Sequence, residues 1–92
     1  MEGFLNNHKM KIPIIRQFYQ SQNPENLEKT LEALESFSEF RGVTQEDLDV
    51  AGELITNICG ALEVHSNVKN GMTEKDALNV FAQKVLGSID KA

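Results

Sequence analysis

Residues 44–71 read TQEDLDVAGELITNICGALEVHSNVKNG, and this stretch decides the fold. Thr44 followed three residues later by Asp47 has the form of a capping box, with Asp where Glu or Gln is usual, so a helix opens here. Leu48, Ala51, Ile55, Ile58 and Leu62 then recur at helical spacing, flanked by Leu54, Ala61 and Val68. The pattern runs on to Asn70 and Gly71, where glycine supplies a helix stop. Unbroken, such a helix spans about 40 Å at 1.5 Å per residue. That is long for a chain of 92 residues. Gly52 and Gly60 are its candidate bend points.

Working outward, Thr73 with Asp76 repeats the capping signature, and Ala77, Leu78, Phe81, Val85 and Ile89 carry a last helix. Upstream, Asn23 is a good N-cap and Pro24 a good first helical residue, with Glu25 and Glu28 in the favourable first turn. Leu27, Leu31, Leu34 and Phe37 form the apolar side of that helix, and Arg41-Gly42 is read as its end. A first helix starts around Pro13 and presents Ile14, Ile15, Phe18 and Tyr19. No stretch alternates with strand period over more than a few residues. The fold class is therefore all-α, a small bundle of about four helices with a long third helix. Short connections at 41–43 and 71–72 make helices two, three and four antiparallel neighbours.

Two segments emerge: residues 1–9 as a flexible N-terminal arm, and residues 10–92 as one helical domain. The arm is polar apart from Phe4 and Leu5, and the patterned sequence begins at Met10.

Composition narrows the function. The apolar share is 40% and the charged share 25%, as in ordinary globular domains. A net charge of -5 is the wrong sign for a nucleic-acid binder or for docking on an anionic membrane. The apolar runs are too short for a membrane span. Cys59 is the only cysteine, which excludes an intrachain disulfide and suits a reducing interior, so a cytoplasmic location is expected.

A handful of residues break the structural pattern. His65 sits three residues after Leu62, in the apolar stripe, with no second histidine at ligand spacing. The expectation is a packed histidine bonded to a carbonyl or carboxylate rather than a metal ligand or acid/base. Glu53, Asn57, Gly60 and Val64 form a second line about a quarter turn or more from the stripe. Glu53 and Asn57 are one turn apart and positioned to bond each other. Glu53 and Glu63 point about 80° apart at 100° per residue, so they share no metal on their own. The Glu63 and His65 pair lacks the Glu-x-x-His spacing of bundle metal sites. Gly52, Thr56, Cys59 and Gly60 are small, and two mid-helix glycines call for close approach by helix one or by a second copy of the chain.

Several strings also carry a family likeness. They are Met10-Lys11-Ile12-Pro13, Gly52-Glu53-Leu54-Ile55 with Asn57, the run Gly60-Ala61-Leu62-Glu63-Val64-His65, and Leu86-Gly87-Ser88-Ile89-Asp90. The chain resembles a small uncharacterised family of bacterial all-helical proteins, from Met10 to about Lys91. That resemblance implies no activity and transfers no functional residue.

The expected function is a non-enzymatic helical interaction module that self-associates as a homodimer through its third helix, with no catalytic residue, cofactor or metal. The candidate interface or ligand residues are Glu53, Asn57, Ile58, Gly60, Leu62, Glu63 and His65. Two alternatives stand beside it. One is a small-ligand or divalent-metal-binding protein using the polar residues of the third helix. The other is an acidic adaptor that binds a basic protein partner through helix two.

Overall fold

The computed structural model describes residues 10–91, with side chains as far as Val85, and contains the four expected helices. They are α1 (Ile12–Ser21), α2 (Pro24–Phe37), α3 (Gln45–Lys69) and α4 (Glu74–Lys91), with no strand among the described residues. The arm at residues 1–9, including His8, and the Ile89 side chain lie outside what is described.

The helix boundaries follow from their caps. Asn23 accepts from the Asn26 amide at 2.8 Å and so starts α2. At α3 both halves of the box form: the Asp47 amide donates to Thr44 Oγ1, and the Thr44 amide donates to Asp47 Oδ2, each at 3.1 Å. Thr73 does the same for the Asp76 amide. The far end of α3 closes as a Schellman motif, with the Gly71 amide on the Val68 carbonyl and the Met72 amide on Asn67. Gly71 has φ +113°, which an L side chain rarely adopts. Despite its two glycines, α3 is one continuous helix of 25 residues.

One boundary differs from expectation. α2 stops at Phe37, not at Arg41-Gly42. The Ser38 hydroxyl donates back to the Leu34 carbonyl, and the amides of Glu39 and Phe40 take tighter contacts three residues back. The chain then turns through residues 38–42, and Gly42 takes its positive φ (+87°) inside that turn.

α3 is the hub: α1, α2 and α4 all pack on it, and α1 also touches α4. α1 runs parallel to α3, with Lys11 at Asn57, Ile15 over Gly60 and Gln22 at His65. α4 turns back from α3 through the short connection at 70–73 and packs on it, with Phe81 at Gly60 and the long Lys84 side chain reaching Glu63. α2 is antiparallel, starting beside His65 and reaching Cys59 by way of Glu35. The core joins Ile15, Leu27, Ile58, Ala61, Val64, Ala77, Leu78 and Phe81, with Phe18, Tyr19, Leu31, Leu34 and Leu62 packed around it. The molecule is flat, 43 × 33 × 17 Å.

The buried side of α3 is rotated relative to the expected stripe. Asn57, Gly60 and Val64, read from sequence as a second line beside the stripe, are buried with Ile58 and Ala61. Leu48, Ile55 and Leu62 are only half-buried. Three helices packed on one hub cover a broad arc of it, wide enough to take in these positions as well as the expected stripe. α1 and α4 both come close at Gly60: a Cβ there would lie 2.7 Å from Ile15 Cδ1 and 3.1 Å from Phe81 Cζ. Gly52 has nothing within 4 Å of such a Cβ.

α1 begins level with Asn57, so the preceding turns of α3 have no α1 across from them. Val50 (59% exposed) and Leu54 (36%) are left open there. Phe40, in the turn before α3, is 59% exposed and stands edge-on to Phe37 at 6.1 Å.

Candidate functional site

The polar residues singled out on α3 are each tied to a different neighbour. Asn57 is 1% exposed. Its Oδ1 accepts from the Lys11 amide at 2.9 Å, and its Nδ2 donates to the Glu53 carbonyl at 2.9 Å. The side chain thus anchors the residue that starts α1 to the hub helix. Burial of an amide is tolerable because donor and acceptor are both used. The Glu53 carboxylate does not reach Asn57; it pairs with Lys11 Nζ at 3.2 Å.

Loss of this anchor is measurable. Asn57→Ala leaves the Lys11 amide without its acceptor, and should cost about 1–3 kcal/mol in urea denaturation. Amide exchange in the first turn of α1 should rise at the same time. A change below about 0.5 kcal/mol would show that the anchor adds nothing net.

His65 lies at the other end of α1. Its Nε2 is 2.8 Å from the Gln22 carbonyl, and its ring stands 4.4 Å from the Tyr19 ring, tilted by 47°. A carbonyl accepts only, so Nε2 carries the proton and donates. This is the packed, carbonyl-bonded histidine expected from the sequence. It satisfies a carbonyl left over where α1 ends.

Glu63 pairs with Lys84 of α4 at 3.0 Å. Ile58 is 1% exposed inside the core, Gly60 is buried under Ile15 and Phe81, and Leu62 is half-buried at the core margin. The seven candidate residues therefore surround α3 and do not converge on one ligand. Among the described residues no group of three or more His, Cys, Asp or Glu is placed to hold a metal ion. Cys59 reaches solvent, yet partial burial and then the Glu35 carboxylate push its thiol pKa up. Both effects disfavour the thiolate and make it a weak nucleophile near neutral pH.

Two surface features escaped the sequence reading. An open groove between α1 and α4 is lined by Ile12, Arg16, Thr73, Lys75 and Leu78 beside Glu74. There Glu74 already accepts from Gln20 Nε2 at 2.7 Å and lies 4.0 Å from Arg16 Nε. The other is a set of large apolar side chains left in solvent, Phe40 in the turn before α3 and Val50 and Leu54 on α3 itself. Its signal was available as Val50 and Leu54 four residues apart, but only the start of α1 decides whether they are covered.

The fold and its committed polar residues define a small all-helical domain organised on one long central helix, and among the described residues no helix is long and apolar enough to cross a membrane. The chain belongs to a family of unknown function, DUF6952, whose model matches residues 10–90. No curated protein and no solved structure matches it.

Proposed function

We propose that the protein is a small, non-enzymatic interaction module of the cytoplasm that acts as a homodimer, each copy contributing α3. One observation carries this reading: the strip Leu48, Gly52, Ile55, Cys59, Leu62 and Ser66, spaced four and three residues alternately along α3. Cys59 and Ser66 are exposed, Gly52 looks onto open space, and Leu48, Ile55 and Leu62 keep part of their apolar surface in solvent. Alternating spacing of this kind is what a second helix packs against, and small residues let its backbone come close. The lone exposed thiol suits a reducing compartment. The competing ligand or metal reading would require Glu53, Asn57, Glu63 and His65 to leave the bonds that hold the helices together.

The test is solution mass by light scattering across a wide concentration range, for the wild type, Gly52→Arg and Cys59→Arg. The wild type should run at twice the chain mass. Gly52→Arg should be monomeric with its helix content intact, because nothing of its own chain opposes a side chain at 52. A wild type that stays monomeric throughout, or a Gly52→Arg dimer as tight as the wild type, rejects the reading.

A further inference from the structure

We infer that the groove between α1 and α4 binds a small amphipathic carboxylate, a molecule with one anionic head and a short aliphatic body. The groove has a volume of about 540 Å³, within the range of small-ligand sites, which combine an apolar bed with a few polar groups. The bed here is Ile12 of α1 with Leu78 and Ala82 of α4. Arg16, Lys75 and Asn79 line it beside Glu74. The two cations are donors only, and Asn79 adds an amide. No described residue of α3 lines the groove, so the inference does not rest on the proposed dimer.

What the groove can hold follows from which of its groups are already used. Glu74 is the one acid among the lining residues, and its Oε2 accepts from Gln20 Nε2 at 2.7 Å. Arg16 Nε stands 4.0 Å from that same oxygen, too far for a hydrogen bond, so the guanidinium donors are uncommitted. Lys75 has no ion pair, and the Asn79 side chain no hydrogen bond, among the described residues. Both stand on the side of α4 that faces the groove, one turn apart. Two cations against one carboxylate leave the lining with a charge of +1 in a chain of net charge -5. That excess matches a monoanion. A carboxylate takes parallel donors from a guanidinium, while a lysine supplies a point charge beside it. An organic cation would meet Arg16 and Lys75, and a phosphate dianion would bring more charge than the groove offsets, next to Glu74. Ala82 lies two turns beyond Lys75, about 10 Å at 1.5 Å per residue, which leaves length for the aliphatic body along Leu78 and Ile12.

The probe is octanoate, titrated into the full chain and followed by amide chemical shifts, with acetate, octylammonium and inorganic phosphate as controls. Octanoate should give saturable shifts centred on Ile12, Arg16, Lys75 and Asn79. Each control should bind at least about tenfold more weakly, acetate for want of apolar burial and the others for want of matching charge. Arg16→Gln combined with Lys75→Gln should weaken octanoate about tenfold or more, as loss of charge-assisted hydrogen bonds does. Asn79→Glu puts a second carboxylate in the groove and should weaken it at least as much. All three positions are exposed, so circular dichroism should show the helix content unchanged. Raising the salt concentration should weaken binding, because the groove is open to solvent.

No saturable shift, or shifts centred away from α1 and α4, overturns the inference. Acetate or phosphate binding as tightly as octanoate would mean that the cations hold an anion without the apolar bed, and overturns it too. Octylammonium binding as tightly would mean that the apolar bed or Glu74 decides, and does the same. So does octanoate binding that survives the loss of Arg16 and Lys75 together. None of these outcomes turns on oligomeric state, since the groove and the α3 strip share no described residue.

Discussion

Replacing Gly60 by leucine is expected to leave the protein largely unfolded, while Gly52→Ala, measured at concentrations low enough for the monomer, should stabilise the single chain by about 0.5–1 kcal/mol. Both glycines sit inside α3, and each forfeits helix propensity relative to alanine. The surroundings decide the sign. At Gly60 even a Cβ would lie 2.7 Å from Ile15 Cδ1 and 3.1 Å from both Ile15 Cγ1 and Phe81 Cζ. Ile15 is 0% exposed and Phe81 6%, so neither can swing into free space. Overpacking by a methyl or two costs about 1–3 kcal/mol. For Gly60→Ala the propensity gain offsets part of this, leaving a small net loss. Leucine adds three more carbons at the crossing of α1, α3 and α4, and should exceed the upper end of that range. Stability of about 0.05–0.15 kcal/mol per residue leaves little reserve against such a loss. Urea denaturation with circular dichroism checks the pair. A Gly60→Leu midpoint equal to wild type would show that α1 and α4 do not pack onto α3 as described.

The same contrast explains what could be read in the sequence. Helix positions were legible because caps are local: Asn23, Thr44 and Thr73 each bond an amide three residues on, and such bonds need no tertiary partner. The α3 stop at Gly71 was legible for the same reason. The end of α2 was not, because Ser38 turning back onto Leu34 competes with continued helix, and Gly42 serves the turn instead. The buried side of α3 was legible only in part. Apolar periodicity picks Ile58 and Ala61 but not Asn57, while Gly60 was legible in another way, as a mid-helix glycine that calls for close approach by α1 or a second copy. Both are buried for reasons that reside in α1: one holds the Lys11 amide, and the other makes room for Ile15. His65 was read as a packed histidine because no ligand partner stood at helical spacing, and its Gln22 acceptor comes from 43 residues away. The parallel course of α1 had no local signature. It follows from contacts at both of its ends, which periodicity does not encode.

Ile58→Asp and Leu62→Asp should behave differently, although the two residues are one turn apart in the same apolar stripe. Ile58 is 1% exposed and belongs to the core shared by all four helices. An aspartate there must be desolvated or protonated, and it also removes a large apolar side chain. Losses above about 4 kcal/mol arise from such a combination. The variant should lack cooperative unfolding at every protein concentration. Leu62 is half-buried at the core margin, so its carboxylate can turn toward water. Its folding cost should be about 1–2 kcal/mol, in the usual range for single substitutions. Its effect on association should be larger, because Leu62 lies on the strip proposed to meet the second copy. A dimer of the proposed kind that dissociates as it unfolds should make the wild-type unfolding midpoint rise with protein concentration. Leu62→Asp should abolish that dependence while keeping a cooperative transition. A folded Ile58→Asp would contradict the core itself. A Leu62→Asp that still unfolds at a concentration-dependent midpoint would remove α3 from the interface while leaving the fold intact, so the two substitutions test packing and association separately.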